Sequence, residues 1–136
     1  MIRGWRCPPG DTERGSVLAE FVMVAALLTA LTLAVLQLAL ALHIRNTVLD
    51  AAAEGARYAS LADSGLDQGA ARSRDLITEA LGPAYAADVS ASYVDVAGQP
   101  GVRMRVVAPL PLFGLLGMNR GLEVEGHAVV EGLEIE

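Results

Sequence analysis

Gly15-Ser16-Val17-Leu18-Ala19-Glu20-Phe21 opens an apolar run that continues to Leu42, and the reading of that run decides the fold. Between Phe21 and Leu42 there is no charge, and only Thr29, Thr32 and Gln37 interrupt the apolar side chains. A hydrocarbon core of about 30 Å takes ~20 helical residues, so the segment is long enough to cross a membrane. Glu20 is the exception at its head. A carboxylate inside a spanning helix is costly to bury, and its presence asks for a functional reason.

The flanks set direction. Arg3, Arg6 and Arg14 precede the run, partly offset by Asp11 and Glu13, and Arg45 and Arg57 follow it. This arginine bias predicts a cytoplasmic N-terminus. Three readings of the run compete. A secretory signal with Ala39-Leu40-Ala41 as its cleavage site would need an apolar region of only ~7–15 residues. A plain, uncleaved signal anchor accounts for the length and leaves Glu20 unexplained. A type IV pilin-like signal accounts for both.

In that third reading the bond after Gly15 is cut on the cytoplasmic side, before the apolar helix. Glycine has no Cβ, so the backbone there can extend and admit a protease closely. Ser16 would then carry a new α-amino group. Glu20 lies four residues on, about one turn or ~6 Å of rise. A buried carboxylate is tolerable when an opposite charge neutralises it. The amine of a neighbouring subunit is one such partner, and the pairing would set the axial register between helices. A bare Gly-x-x-x-x-Glu is a weak pattern, and its weight comes from its place at the start of the apolar run. The competing reading of Glu20 is an interfacial acid that snorkels to the headgroups.

Arg14-Gly15-Ser16, then Glu20-Phe21, a leucine- and alanine-rich span, Arg45-Asn46 and Ala52-Ala53-Glu54-Gly55-Ala56-Arg57-Tyr58-Ala59 together resemble the TadE-like pseudopilins. The resemblance covers about Glu13 to Ala59, and nothing after Ala62 aligns with a family motif. It implies a minor, pilin-like component of a tight-adherence (Flp) pilus, cut by a dedicated prepilin peptidase. Gly15 becomes the last leader residue, Ser16 the mature N-terminus and Glu20 the acid at position five. The implied partners are the peptidase, other pilin-like subunits, the assembly platform and membrane lipids.

Composition narrows the remaining classes. The net charge is −6 and all ten basic residues are arginine, with no basic stripe to replace phosphate counterions, so nucleic acid is not an expected partner. Cys7 is the single cysteine and leaves no disulfide or thiolate metal site in the rest of the chain. No nucleophile–base set or phosphate loop is legible, so neither an enzyme, a cofactor nor a small-molecule substrate is expected. His127 alternates with Glu123, Glu125 and Glu131, which is the pattern of a solvated strand face rather than a metal site.

Downstream of the span the helix is expected to continue to Ala62. Ile44, Val48, Ala51, Ala52, Gly55, Ala59 and Ala62 form a narrow stripe, opposite Asn46, Asp50, Glu54 and Arg57. The stripe suits either a seam between subunits or packing on the chain's own globular part. Asp63-Ser64-Gly65 reads as the stop. A second helix is predicted over Leu66–Leu81, ended by Gly82-Pro83, with Leu66, Ala70, Ser73, Ile77 and Leu81 on one face.

The period then changes to two. Val102, Met104, Val106 and Ala108 form one strand face, and Leu122, Val124, Gly126, Ala128 and Val130 another. A weaker strand covers Asp88 to Ala97, with Gly98-Gln99-Pro100-Gly101 as a four-residue turn. Arg103 and Arg105 against Glu123 and Glu125 would pair across strands. The apolar segment Pro109–Met118 would fold back over the open side of the sheet, or else serve as a sticky surface for a partner or the membrane.

The expected fold class is α+β. It comprises a leader (1–15), a transmembrane helix (16–42), a helix extension (43–62) and a small extracytoplasmic domain (63–136) with a second helix and three antiparallel strands. The leading functional expectation is a pilus-assembly subunit. The rival is a single-pass anchored module whose outer domain binds a ligand.

Overall fold

The computed structural model describes Gly4 and residues 11–61, 63–110 and 121–130. The first helix, α1, runs Asp11–Ser60, and the chain divides into two compact units, 1–38 and 39–136.

In the first unit, residues 11–38 of α1 are alanine- and leucine-rich, and these side chains lose little freedom on entering a helix. From Phe21 onward they are uncharged on every side, and the most apolar window of the helix has no buried share. Phe21, Met23 and Leu27 are exposed over about two-thirds of their surface. A helix hydrophobic all round belongs in an apolar medium, and this one is long enough to cross a membrane. The two threonine hydroxyls within the span make no demand on that medium, because Thr29 donates to the Ala25 carbonyl and Thr32 to the Leu28 carbonyl, each at 2.8 Å.

The helix starts earlier than expected. It takes in Gly15 and the four residues before it, so Gly15 is helical here rather than extended. Glu13 lies in the first turn, where a negative charge offsets the positive end of the helix dipole, and no proline or glycine pair interrupts the stretch.

In the second unit the narrow stripe is buried. Ile44, Val48, Ala51, Ala52 and Ala59 are at most 5% exposed, and Ala56 joins them at 0%. Ala62 lies outside the described residues. Helix α2 spans Leu66–Leu81, as the spacing predicts, and buries Gly69, Ala70, Ser73 and Ile77. Gly82 ends it at φ 105°, a conformation that suits glycine, and its N–H caps the Thr78 carbonyl at 3.0 Å. A short 3-10 turn, Pro83–Ala86, leads into the sheet.

The sheet has three antiparallel strands in the order β1 (Asp88–Val96), β2 (Gln99–Pro109), β3 (Gly121–Val129). Val102, Met104, Val106 and Ala108 of β2 are all within 1% of full burial. Their neighbours in register are Ala128, Gly126, Val124 and Leu122 of β3. The alternation therefore places one face on the core, as the period of two requires. The cluster joining α1, α2 and all three strands is continuous.

The β1–β2 connection differs from the expected four-residue turn. Val96 pairs with Gln99, leaving Ala97-Gly98 as a two-residue loop, with φ 56° and 83°. Two positive φ values in a two-residue loop are the type I′ geometry, whose twist matches that of the flanking strands. The Gly98 N–H donates to Asp95 Oδ1 at 2.7 Å and fixes the bend. Gln99, Pro100 and Gly101 consequently join β2. Pro100 is tolerated because its backbone groups point away from β1, where its carbonyl accepts from Val130 N–H at 2.9 Å. The expected apolar fold-back over Pro109–Met118 falls, from residue 111 onward, outside the described residues.

Candidate functional site

The residues singled out in the sequence all lie on the first turns of α1. Ser16 and Glu20, four apart, share one side of the helix. There they border a shallow apolar groove with Ala19, Met23, Val24, Ala26 and Leu27. Phe21 lies in the adjoining groove with Glu13, Arg14, Val17 and Leu18. Glu20 and Phe21 are therefore neighbours in sequence that address different surroundings. Gly15 has open space where a Cβ would stand, so the structure around it does not require glycine.

Glu20 is exposed, and among the described residues it makes no hydrogen bond or ion pair. Arg14 does not reach that role. Six residues along a helix of about 3.6 per turn place it ~120° round from Glu20. The acid thus sits at the head of an apolar span with no cation on its own face among the described residues.

The polar face of the sheet supplies a contrast. Arg105 Nε–H donates to Glu123 Oε1 at 2.5 Å, and Arg103 Nε lies 4.0 Å from Glu125 Oε1. The complementary pairs expected from the alternation are present, and the register makes them diagonal: Arg105 stands opposite Glu125, and Arg103 opposite His127. The Glu123 hydrogen bond and charge raise the Arg105 pKa above its ordinary value. The same hydrogen bond from Arg105 lowers that of Glu123. His127 Nε2 is 3.9 Å from Glu125 Oε2. Among the described residues no group of three or more His, Cys, Asp or Glu is placed to hold a metal ion.

The remaining stretch of interest, Ala52 to Ala59, is a packing element. A Cβ on Gly55 would overlap Ser73 Oγ and stand 2.7 Å from the Gly69 carbonyl oxygen. A Cβ on Gly126 would stand 2.6 Å from the Ala52 carbonyl carbon and the Ala53 nitrogen. Ser73 Oγ, fully buried, donates to the Ala51 carbonyl at 2.9 Å. Small residues here let α2 and β3 approach the α1 backbone, so the stripe packs on the chain's own domain. Gly69 was not singled out by the sequence reading. Its signal was the small pair Gly69-Ala70 at helical spacing from Ser73.

The family model described as TadE-like protein matches residues 15–57. This segment is TadE-like. The match opens on Gly15, includes Ser16, Glu20 and Phe21, and closes on Arg57 inside the Gly55 packing element. It stops before α2 and the sheet. The TadE-like family is one of pilus-associated proteins, and a single apolar helix of spanning length fits a single-pass membrane anchor. No curated protein and no solved structure matches the chain.

Proposed function

We propose that the chain is a minor, pilin-like subunit of a tight-adherence (Flp) type pilus. A prepilin peptidase cuts it after Gly15, leaving Ser16 as the mature N-terminus. The span holds the N-terminus on the cytoplasmic side and the α+β domain outside. Glu20 pairs with the α-amino group of a neighbouring pilin-like subunit and sets the register between their helices. Phe21, on the next groove, packs against lipid or that neighbour. The protein acts by assembly and not by catalysis.

One observation carries this reading: Glu20 is an acid at the head of an apolar span, and among the described residues it has no hydrogen-bond or ion-pair partner. A plain anchor has no use for such a charge, whereas a subunit that must find one axial position beside another does. The TadE-like match over residues 15–57 supports it independently.

Intact-mass measurement of the protein from cells that hold the peptidase tests the cleavage. A chain beginning at Ser16 is expected, and one retaining Met1 or beginning at His43 contradicts it. Substituting Glu20→Ala should leave that mass change in place and abolish most pilus assembly, scored by electron microscopy. Normal pili from the processed variant would remove the register role.

A further inference from the structure

We infer that the leader carries a charge that blocks assembly before cleavage, and that Glu13 is the residue responsible. This rests on the cleavage and pairing proposed above and concerns their regulation.

The helix does not begin at Ser16. It is continuous from Asp11, so leader and mature segment share one helical surface. On that surface the spacing is specific. Seven residues turn a helix of about 3.6 residues per turn almost twice, so Glu13 lies within ~20° of Glu20 and ~10.5 Å from it along the axis. Ser16 lies between them on the same side. Arg14, the one leader cation in the described helix, points ~120° away from that line.

Cleavage therefore does more than create a cation. In the uncleaved chain the face reads Glu13, Ser16, Glu20, with two negative charges and, among the described residues, no positive one. Hydrolysis of the Gly15–Ser16 bond consumes one water, removes Glu13 with the leader and leaves an α-amine on Ser16. The face then reads plus and minus, one turn apart. A docked neighbour whose Glu20 stands level with Ser16 meets Glu13 about one turn away before cleavage and the amine after it. In an apolar interface such charges are weakly screened, so the sign of the nearest group decides whether helices associate. Missing attraction and added repulsion act together, and unprocessed chains stay unpaired.

The test uses the full chain in membranes of cells without the peptidase, with Cys7→Ala and a reporter cysteine, Leu27→Cys, on the Glu20 side. Oxidative crosslinking reads association. The uncleaved chain with Glu13 should give little dimer. Glu13→Gln should raise the yield, and Glu13→Arg should raise it about tenfold, the scale of one charge pair in a medium between water and protein interior. Adding Glu20→Gln to Glu13→Arg should cancel the gain, which separates charge pairing from a change in helix insertion. Equal crosslinking of all three residues at position 13, or a gain that survives Glu20→Gln, overturns the inference. The mass of the same chain co-expressed with the peptidase keeps the two ideas apart. A start other than Ser16 removes the cleavage reading and this one with it, while a Ser16 start with unresponsive crosslinking removes this one alone.

Discussion

One helix in this protein obeys two rules. Residues 21–38 of α1 carry no charge and contain no buried residue, whereas residues 44–60 bury one narrow side and expose the other. In the first stretch Leu27, Leu31 and Leu38 are each at least 60% exposed. In the second, Ile44 and Val48 are at most 2% exposed. The chemistry of the side chains is similar and the surroundings differ. Where the chain supplies its own sheet and second helix, a stripe of small residues is sufficient. Where it supplies nothing, the whole circumference must be apolar, and the medium has to come from outside. The TadE-like match over residues 15–57 runs through both.

The sharpest way to break this contrast is to add bulk on each side. Gly126→Leu would drive a side chain into the Ala52–Ala53 backbone, which has no flexible end to yield. We expect a loss of about 3 kcal/mol or more in domain stability, beyond ordinary overpacking because backbone must move. Limited proteolysis and denaturant unfolding in micelles would read it. Ala26→Leu, in the exposed span, should leave both unchanged. If the two variants behave alike, the close approach of β3 to α1 is wrong.

Removing bulk gives the next largest effect. Ile77, on the inner face of α2, is fully buried, and Ile77→Ala should cost about 2–4 kcal/mol through lost transfer energy and the cavity left behind. Leu31→Ala deletes comparable surface from the span, where the side chain is 60% exposed. The unfolding midpoint of the domain should not move. A shared shift would mean that the two units fold as one.

These two rules also explain what was legible in the sequence. The span, α2 and the strand faces of β2 and β3 follow from strong periodicity, and each falls where its period places it. The β1–β2 turn did not. Ala97 holds φ 56°, which alanine seldom does, while Gly98-Gln99-Pro100-Gly101 carries the familiar turn residues. The paired strands overrode the local preference. At the candidate site, Gly15, Ser16 and Glu20 were legible because a charge at the head of an apolar run is conspicuous. The continuation of helix upstream of Gly15 was not, since a short polar leader has no periodic signal of its own. The choice between a subunit seam and a domain seam for the Gly55 stripe was also closed to sequence. It depends on Gly69, Ser73 and Gly126, brought together only by folding.

Charge gives the smallest effect and the clearest sign. Glu20 has no partner among the described residues, whereas Glu123 accepts from Arg105 and has its pKa lowered by that bond. A lowered carboxylate pKa means the folded state binds its proton less readily than the unfolded chain. Its stabilising contribution is therefore fully present above the ordinary carboxylate value of 4.5 and fades as pH falls through the lowered one. The raised pKa of Arg105 places that residue's own loss above the ordinary arginine range, outside any working pH. Both groups are exposed, so the contribution is small and weakened by salt. In a melting series from neutral to acid pH, the difference between the parent and Glu123→Gln should be slight at pH 7, shrink below the ordinary carboxylate value and vanish only below the lowered one. High salt should shrink it at every pH. A difference that grows on acidification would mean that Glu123 is protonated more easily in the fold, and that the sheet, like the head of the span, holds an acid it does not satisfy.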